Sequence, residues 1–255
     1  MSCNPASITN TRSVAVNPAN TLVYFGLIGT NQVNSCPIQS DGSIGTCVDS
    51  SPNQTFYYPN GLGFNPGGDH LYVTHVNPGL YVCDINLSTG VADPCVLTGS
   101  VDINPYSLGV VVNSTNTIAY VTDANGNVYL CAIGSGGAFT SCQSNATISG
   151  AYGVAIQGNY LYVTTQQNDV YKCSISSVNG SLSACSTTGG SIFGASQGIA
   201  INAAGSVAYI VDSSNSPNLV KSCDIAVNTG DLSNCVDQTP TSVTISTLSG
   251  IAISK

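Results

Sequence analysis

Charge is what this chain has least of: 255 residues carry four basic and twelve acidic side chains, every acid is aspartate, and glutamate and tryptophan are absent. The four cations, Arg12, Lys172, Lys221 and Lys255, are scattered. The lack of clustered Lys and Arg argues against phosphate-backbone binding and disfavours docking on an anionic membrane surface, so nucleic acid is not an expected partner. Glutamate is missing, and methionine occurs only once, so helix is expected to be almost absent. No apolar run approaches the roughly 20 residues a membrane-spanning helix needs. With no Glu, two histidines (His70, His75) and one arginine, the usual equipment of hydrolases is thin, and no nucleophile motif marks a Ser-His-Asp site. No catalytic residue, metal or cofactor is assigned.

What is present is a repeat. The stretch Gly61 to Cys95 reads as four short strands separated by turns at Pro66-Gly67-Gly68-Asp69, Asn77-Pro78-Gly79 and Asn86 to Gly90. Aligned on the first strand, related copies open at Ser13, Gly61, Gly109, Gly153, Gly198 and Gly250, with intervals of 48, 48, 44, 45 and 52 residues. That period is close to a propeller blade's, and four short strands cannot bury both faces of their own sheet, so the units must stack on one another. The expected fold is an all-β propeller of four-stranded antiparallel blades. Five are complete, at about 13–60, 61–108, 109–152, 153–197 and 198–249, with partial strands at 1–12 and 250–255, in one domain over residues 1–255.

Ten of the eleven cysteines fall into pairs 11 or 12 positions apart: Cys36 and Cys47, Cys83 and Cys95, Cys131 and Cys142, Cys173 and Cys185, Cys223 and Cys235. In each pair an isoleucine follows the first cysteine by two positions and a glycine precedes the second by five. Two antiparallel strands joined by a glycine-exit turn bring such cysteines opposite one another, at the roughly 4.5–5.5 Å between Cα atoms that ladder partners have and a disulfide accepts. Zinc sites favour spacings of two to four and a second converging pair. One disulfide per blade is therefore expected, which requires an oxidising compartment and a secreted, extracellular or cell-surface protein. The unpaired Cys3 stands where an outer-strand cysteine belongs; its partner is expected upstream of Met1, with a lipidated or intermolecular cysteine as the alternatives. No export signal precedes Ser2, which is read as a processed N-terminus.

The second strands Tyr72-Val73-Thr74-His75, Tyr120-Val121-Thr122-Asp123 and Tyr162-Val163-Thr164-Thr165, with the preceding Gly-Val-Ala-Ile-type strands at Gly153 and Gly198, resemble the YVTN repeat of secreted bacterial β-propellers. The resemblance covers nearly the whole chain; blades one and five are degenerate in the motif, and the paired cysteines are an addition to it. It implies that the inter-blade connections and the loops after the second strands share one face. His75, Asp123, Thr165 and Asp212, which follow those strands, are then expected at the mouth of the central channel, as a candidate cation ring or as solvated turn residues. Tyr57, Tyr58, Tyr106, Tyr152 and Phe193, in the inter-blade connections, are candidates for stacking on a sugar or a protein partner, or for plugging the gaps between blades.

Asn53, Asn86, Asn113, Asn145 and Asn179 begin Asn-x-Ser/Thr triplets, which matter only in a eukaryotic secretory route. The leading functional expectation is a non-catalytic extracellular scaffold or self-assembling interaction subunit, partnered by itself or by another extracellular protein. The alternative is a lectin-like or adhesin-like ligand-binding module, and a lactonase-like hydrolase is the weaker third. Ser13 to Asn17 and Gly250 to Ser254 compete, on this reading, for a single inner-strand seat. If the C-terminal copy takes it, the N-terminal segment is a spare strand to donate to another subunit; the competing expectation is that both terminal segments are fragments of a sixth blade that lacks its middle strands.

Overall fold

The computed structural model describes residues 10–77, 79–99, 103, 106–190, 193–213, 219–238 and 249–253. They form five four-stranded antiparallel sheets arranged in a ring, each a simple meander from the axis outwards, with no helix among the described residues. Blade one consists of β1 (Thr11–Val16), β2 (Leu22–Leu27), β3 (Gln32–Pro37) and β4 (Val48–Asp49). Blade two consists of β5 (Gly61–Phe64), β6 (His70–Thr74), β7 (Leu80–Ile85) and β8 (Ala92–Thr98). Blade three is β9 (Ser107–Val112), β10 (Ile118–Asp123), β11 (Asn127–Ile133) and β12 (Phe139–Thr147). Blade four is β13 (Ala151–Gln157), β14 (Tyr160–Thr165), β15 (Val170–Ile175) and β16 (Leu182–Thr188). Blade five is β17 (Ser196–Ile201), β18 (Val207–Asp212), β19 (Leu219–Ile225) and β20 (Leu232–Asp237). The fold is a five-bladed β-propeller. The inner strands of blades one, three, four and five begin two residues before the expected glycine or serine, because a register irregularity lets pairing resume on its far side.

All five expected disulfides are formed, one inside each blade, with Cα separations of 3.9–4.1 Å, closer than ladder spacing alone predicts. Cys83 faces Cys95 and Cys131 faces Cys142 in register. In blades four and five the twelve-residue spacing leaves an extra residue on the outer strand, and Ala184 and Asn234 absorb it in left-handed backbone (φ 49° each). Cys3 lies outside the described residues.

The repeat's other fixed residues join blade to blade. The glycine five positions before each outer cysteine ends its turn in left-handed backbone, with φ between 68° and 80° at Gly42, Gly90, Gly137, Gly180 and Gly230. Four of their carbonyls accept a bond from the second-strand tyrosine of a neighbouring blade: Tyr24 to Gly90 (2.8 Å), Tyr72 to Gly137 (2.7 Å), Tyr120 to Gly180 (2.5 Å) and Tyr162 to Gly230 (2.5 Å). Burial pushes the hydroxyls of Tyr24, Tyr120 and Tyr162 up to about 12 and that of Tyr72 up as well. The threonine two positions on does the same nearer the axis, Thr74 to the Leu108 carbonyl, Thr122 to Tyr152 and Thr164 to Gln197. Blade one has Gly26 in that place, and Ser13 of the adjacent inner strand supplies the hydroxyl instead, to the Pro59 carbonyl at 3.1 Å. Apolar clusters fill the spaces between consecutive blades, such as Tyr24, Val33 and Phe56 against Leu71, Val73 and Ala92.

The two copies of the inner strand do not compete for one seat. β1 takes the inner position of blade one, and segment 249–253 lies between β17 and β1. A Cβ on Gly61 would sit 2.1 Å from the Leu108 carbonyl oxygen and one on Gly153 2.2 Å from that of Gln197, so glycine is what allows neighbouring inner strands to touch. The same approach recurs at the seam, where Gly198 abuts Ser249 to Ile251, Gly250 abuts Ser13 and Val14, and the Ser249 hydroxyl bonds the Arg12 carbonyl at 2.8 Å. The expectation of a single contested seat fails because the ring is wide enough for this segment beside the five complete blades.

Candidate functional site: the loop-face cleft

The axis is lined by inward aliphatic side chains, among them Val14, Leu62, Val110, Val154 and Ile199. At the face of the first hairpin turns the channel opens into a cavity of about 790 Å³; at the opposite, glycine-lined end only about 80 Å³ remains. The turn-face asparagines are committed locally: Asn17 and Asn113 each accept two backbone N–H bonds within their own turns. Above the narrow end, on the face of the inter-blade connections, lies a cleft of about 260 Å³ that shares Arg12, Asn60, Leu108 and Tyr152 with that end of the channel.

A chain of backbone bonds builds the rim of that cleft. Val76 N–H donates to the Tyr57 carbonyl, Tyr106 N–H to the Val76 carbonyl, and Ala124 N–H to the Tyr106 carbonyl, tying the loops of three blades together. In blade four the equivalent bond runs from Gln166 N–H to Gly150. Ala195 of blade five makes the same bond without a positive φ, whereas in blades one and four the corresponding rim positions are left-handed, at Asn10 (φ 59°) and Gly150 (φ 72°), residues that tolerate it. Tyr58 (φ 57°) and Tyr106 (φ 69°) do not belong to that class, and holding a tyrosine there costs on the order of 1–3 kcal/mol. Both rings stand 46% and 58% exposed on the cleft, held by Asn31 Oδ1 at the Tyr58 N–H and by the rim bonds at Tyr106.

The cleft's floor is polar. Arg12, from β1, reaches across the channel mouth to blade four, where its guanidinium carbon lies 5.7 Å from the centroid of the Tyr152 ring. Tyr152 is 95% buried; the Arg12 Nε beside it is buried without an acceptor among the described residues, and the Tyr152 hydroxyl has no partner there other than the Arg12 guanidinium. Burial raises the Tyr152 hydroxyl's pKa, and the positive charge of Arg12 and hydrogen bonding with it oppose that. Lys172 is paired with Asp231, and Lys221 with Asp237 and Asp212. Arg12 is thus the one described cation without a carboxylate partner among the described residues. Asn60 and Gln166 complete the polar lining.

Several expected site residues sit elsewhere. His75, Asp123, Thr165 and Asp212 are buried inside their own loops rather than directed at the channel mouth. Asp123 accepts the N–H groups of Asn125 and Asn127, the Asn127 amide and the Tyr129 hydroxyl, and Thr165 organises the turn to Asp169. Asp212 accepts the Gly194 N–H and faces Lys221 at 3.9 Å. His75 packs its ring 5.1 Å from Tyr81, and burial lowers its pKa. These side chains satisfy turn backbone that would otherwise be stranded under the loops, so they do not form a ligand ring. Phe193 is buried in the core between blades four and five, filling a gap rather than standing at the rim. Tyr152 is buried too, yet it lines the cleft from below. Tyr57 is exposed and stacks at a tilt on Tyr58, 5.9 Å away, outside the cleft's lining. Arg12 was not among the expected site residues, although a lone arginine opening an inner strand was a signal on hand.

No protein-family model matches the chain, and no curated protein does. Many solved structures share its fold. A chain of a nidogen/laminin complex superposes with a TM-score of 0.69 at 15% identity, covering 95% of this chain and 84% of that one. The periplasmic gluconolactonase of Pseudomonas aeruginosa gives 0.62 at 13% identity, covering 88% and 68%. Hydrazine synthase of Kuenenia stuttgartiensis gives 0.62 at 12% identity over 91% of this chain, which spans 66% of that one. At these identities the likeness is one of fold.

Proposed function

We propose that the protein is a non-catalytic extracellular binding module of the YVTN-repeat propeller type, and that the loop-face cleft is its ligand site. The observation that carries this is the pair Tyr58 and Tyr106, two exposed tyrosines held on one cleft in left-handed backbone, where blades one and four use Asn10 and Gly150 and blade five has Ala195 without it. Strain of that kind persists where the surrounding structure enforces it, and such outliers cluster at ligand sites. Tyrosine offers a flat apolar face with a polar edge, suited to a sugar ring, while Asn60 and Gln166 offer amides.

The non-catalytic reading is supported by what surrounds the cleft. Among the described residues its lining contains no Asp, His, Ser or Cys, and Asp123, Asp212 and His75 lie buried beneath the loops. A general base or nucleophile needs to reach the bound ligand. The five disulfides suggest an oxidising compartment, and secretion follows from the same reading.

The test is a glycan array probed with the wild type and with Tyr58→Ala/Tyr106→Ala. Binding that disappears in the double variant, with the melting temperature retained, is the expected result. An array that is blank for the wild type, or signals indifferent to the double variant, would overturn the reading.

A further inference from the structure

We propose that the ligand of this cleft is a sugar ring carrying a single carboxylate, a uronic acid, with Arg12 and Tyr152 as its carboxylate clamp. The inference rests on the reading of the cleft as a glycan site and adds its charge. The only arginine of a chain whose net charge is -8 lies in this cleft. No carboxylate of the described residues neutralises it, its Nε has no acceptor among them, and beside it the buried Tyr152 hydroxyl has no partner other than that guanidinium.

Leaving the Arg12 Nε–H without an acceptor is costly, because a buried polar group without a hydrogen bond forfeits its hydration and receives nothing in exchange. The Nε–H donates, and a Tyr152 hydroxyl that accepts from the guanidinium keeps its own proton to donate, so an acceptor fits both, and the guanidinium makes that acceptor an anion. The planar fork of an arginine matches a carboxylate with two parallel bonds, and the hydroxyl can donate a third to the same oxygen pair. One cation sets the charge at one. The cleft, at about 260 Å³, falls just below the roughly 300–1,000 Å³ usual for small-ligand sites, which suits one ring rather than a long chain. Tyr58 and Tyr106 then cover the ring whose carboxylate points down to Arg12.

The anchoring geometry also explains the choice of residue. Arg12 bridges from blade one to a tyrosine of blade four, and its backbone carbonyl is held by Ser249 at the seam. Its side chain is therefore held in place by cation–π contact, while its charge stays without a carboxylate among the described residues.

Calorimetric titration with sodium glucuronate and with methyl glucoside, wild type against Arg12→Gln, Arg12→Lys and Tyr152→Phe, decides the matter. Each variant is first checked for an unchanged melting temperature. The wild type is expected to bind glucuronate at least tenfold more tightly than the neutral sugar, with an affinity that falls as salt rises. Arg12→Gln should erase the preference, Arg12→Lys should keep part of it, and Tyr152→Phe, which retains the stacking ring, should weaken glucuronate several-fold. An oligogalacturonate run alongside distinguishes a free uronic acid from a residue within a polysaccharide, since tighter binding of the oligomer assigns the polymer and tighter binding of the monomer assigns the free acid. Equal affinity for both sugars in the wild type, or glucose 6-phosphate binding as tightly as glucuronate, would overturn the inference while the cleft remains a glycan site. If neither sugar binds but the array yields a ligand dependent on Tyr58 and Tyr106, the inference falls alone; if the array is blank, both fall.

Discussion

Removing one hydroxyl, in Tyr120→Phe, tests whether the blades are clasped by their tyrosines. Tyr120 is almost wholly buried, and its hydroxyl donates at 2.5 Å to the Gly180 carbonyl in the turn of the next blade. Phenylalanine keeps the ring and its packing against Val128, Leu161 and Cys173 and removes only the donor. The carbonyl it leaves behind cannot turn away, because Gly180 is fixed in left-handed backbone with Ile118 packed against it. An orphaned buried acceptor costs about 1–3 kcal/mol, which for a domain of this size lowers the melting temperature by roughly 2–4 °C per kcal/mol. Thermal unfolding of Tyr120→Phe against Tyr57→Phe, whose ring is exposed, is the assay; the control should stay within about 0.5 kcal/mol. A Tyr120→Phe variant as stable as the wild type would refute the clasp.

Peptide mapping of the non-reduced protein should find five links, each within a blade, and a Cys83 to Cys142 link would contradict the fold. Replacing Cys173 and Cys185 together by alanine should cost about 3 kcal/mol in denaturant unfolding without disturbing the other links, because each staple closes a loop of about a dozen residues. Gly61→Ala should destabilise by about 1–3 kcal/mol or more, since its Cβ meets a backbone carbonyl that has no room to move; a neutral result would dismiss the glycine contacts between inner strands. Because the folded-state pKa of Tyr24, Tyr120 and Tyr162 is raised to about 12 from 10.0, the stability they contribute is fully present below pH 10 and drains away as pH rises towards 12. Urea unfolding between pH 8 and 11 should show that decline, and a flat profile would contradict it.

How much of this was legible in the sequence depended on range. The disulfides were, because eleven or twelve residues and one turn settle which cysteines meet. The blades were, because Tyr-Val-Thr strands and glycine-led inner strands recur at a nearly constant period. The reason for the constancy was not: the tyrosine bonds a turn about sixty residues further along, and Thr74 a carbonyl thirty-four away, distances that only ring geometry brings together. The loop residues misled for a related reason. Asp123 and His75 occupy the expected end of the ring, but unpaired turn N–H groups claim them before any ligand can. Of the five aromatic candidates, Tyr58 and Tyr106 reached the cleft surface, and only their backbone angles, invisible in the sequence, set them apart. Arg12 escaped because its significance is the missing counter-charge, a property of its neighbours across the axis.

The most direct test of the account is to map where a ligand from the array lands on the ring by amide and side-chain chemical-shift changes during titration. The account predicts perturbations concentrated at Arg12, Tyr58, Tyr106, Tyr152 and Gln166, saturating with a single affinity. Shifts confined to the opposite mouth, around Asn17, Asn65 and Asn113, with the loop face silent, would contradict it.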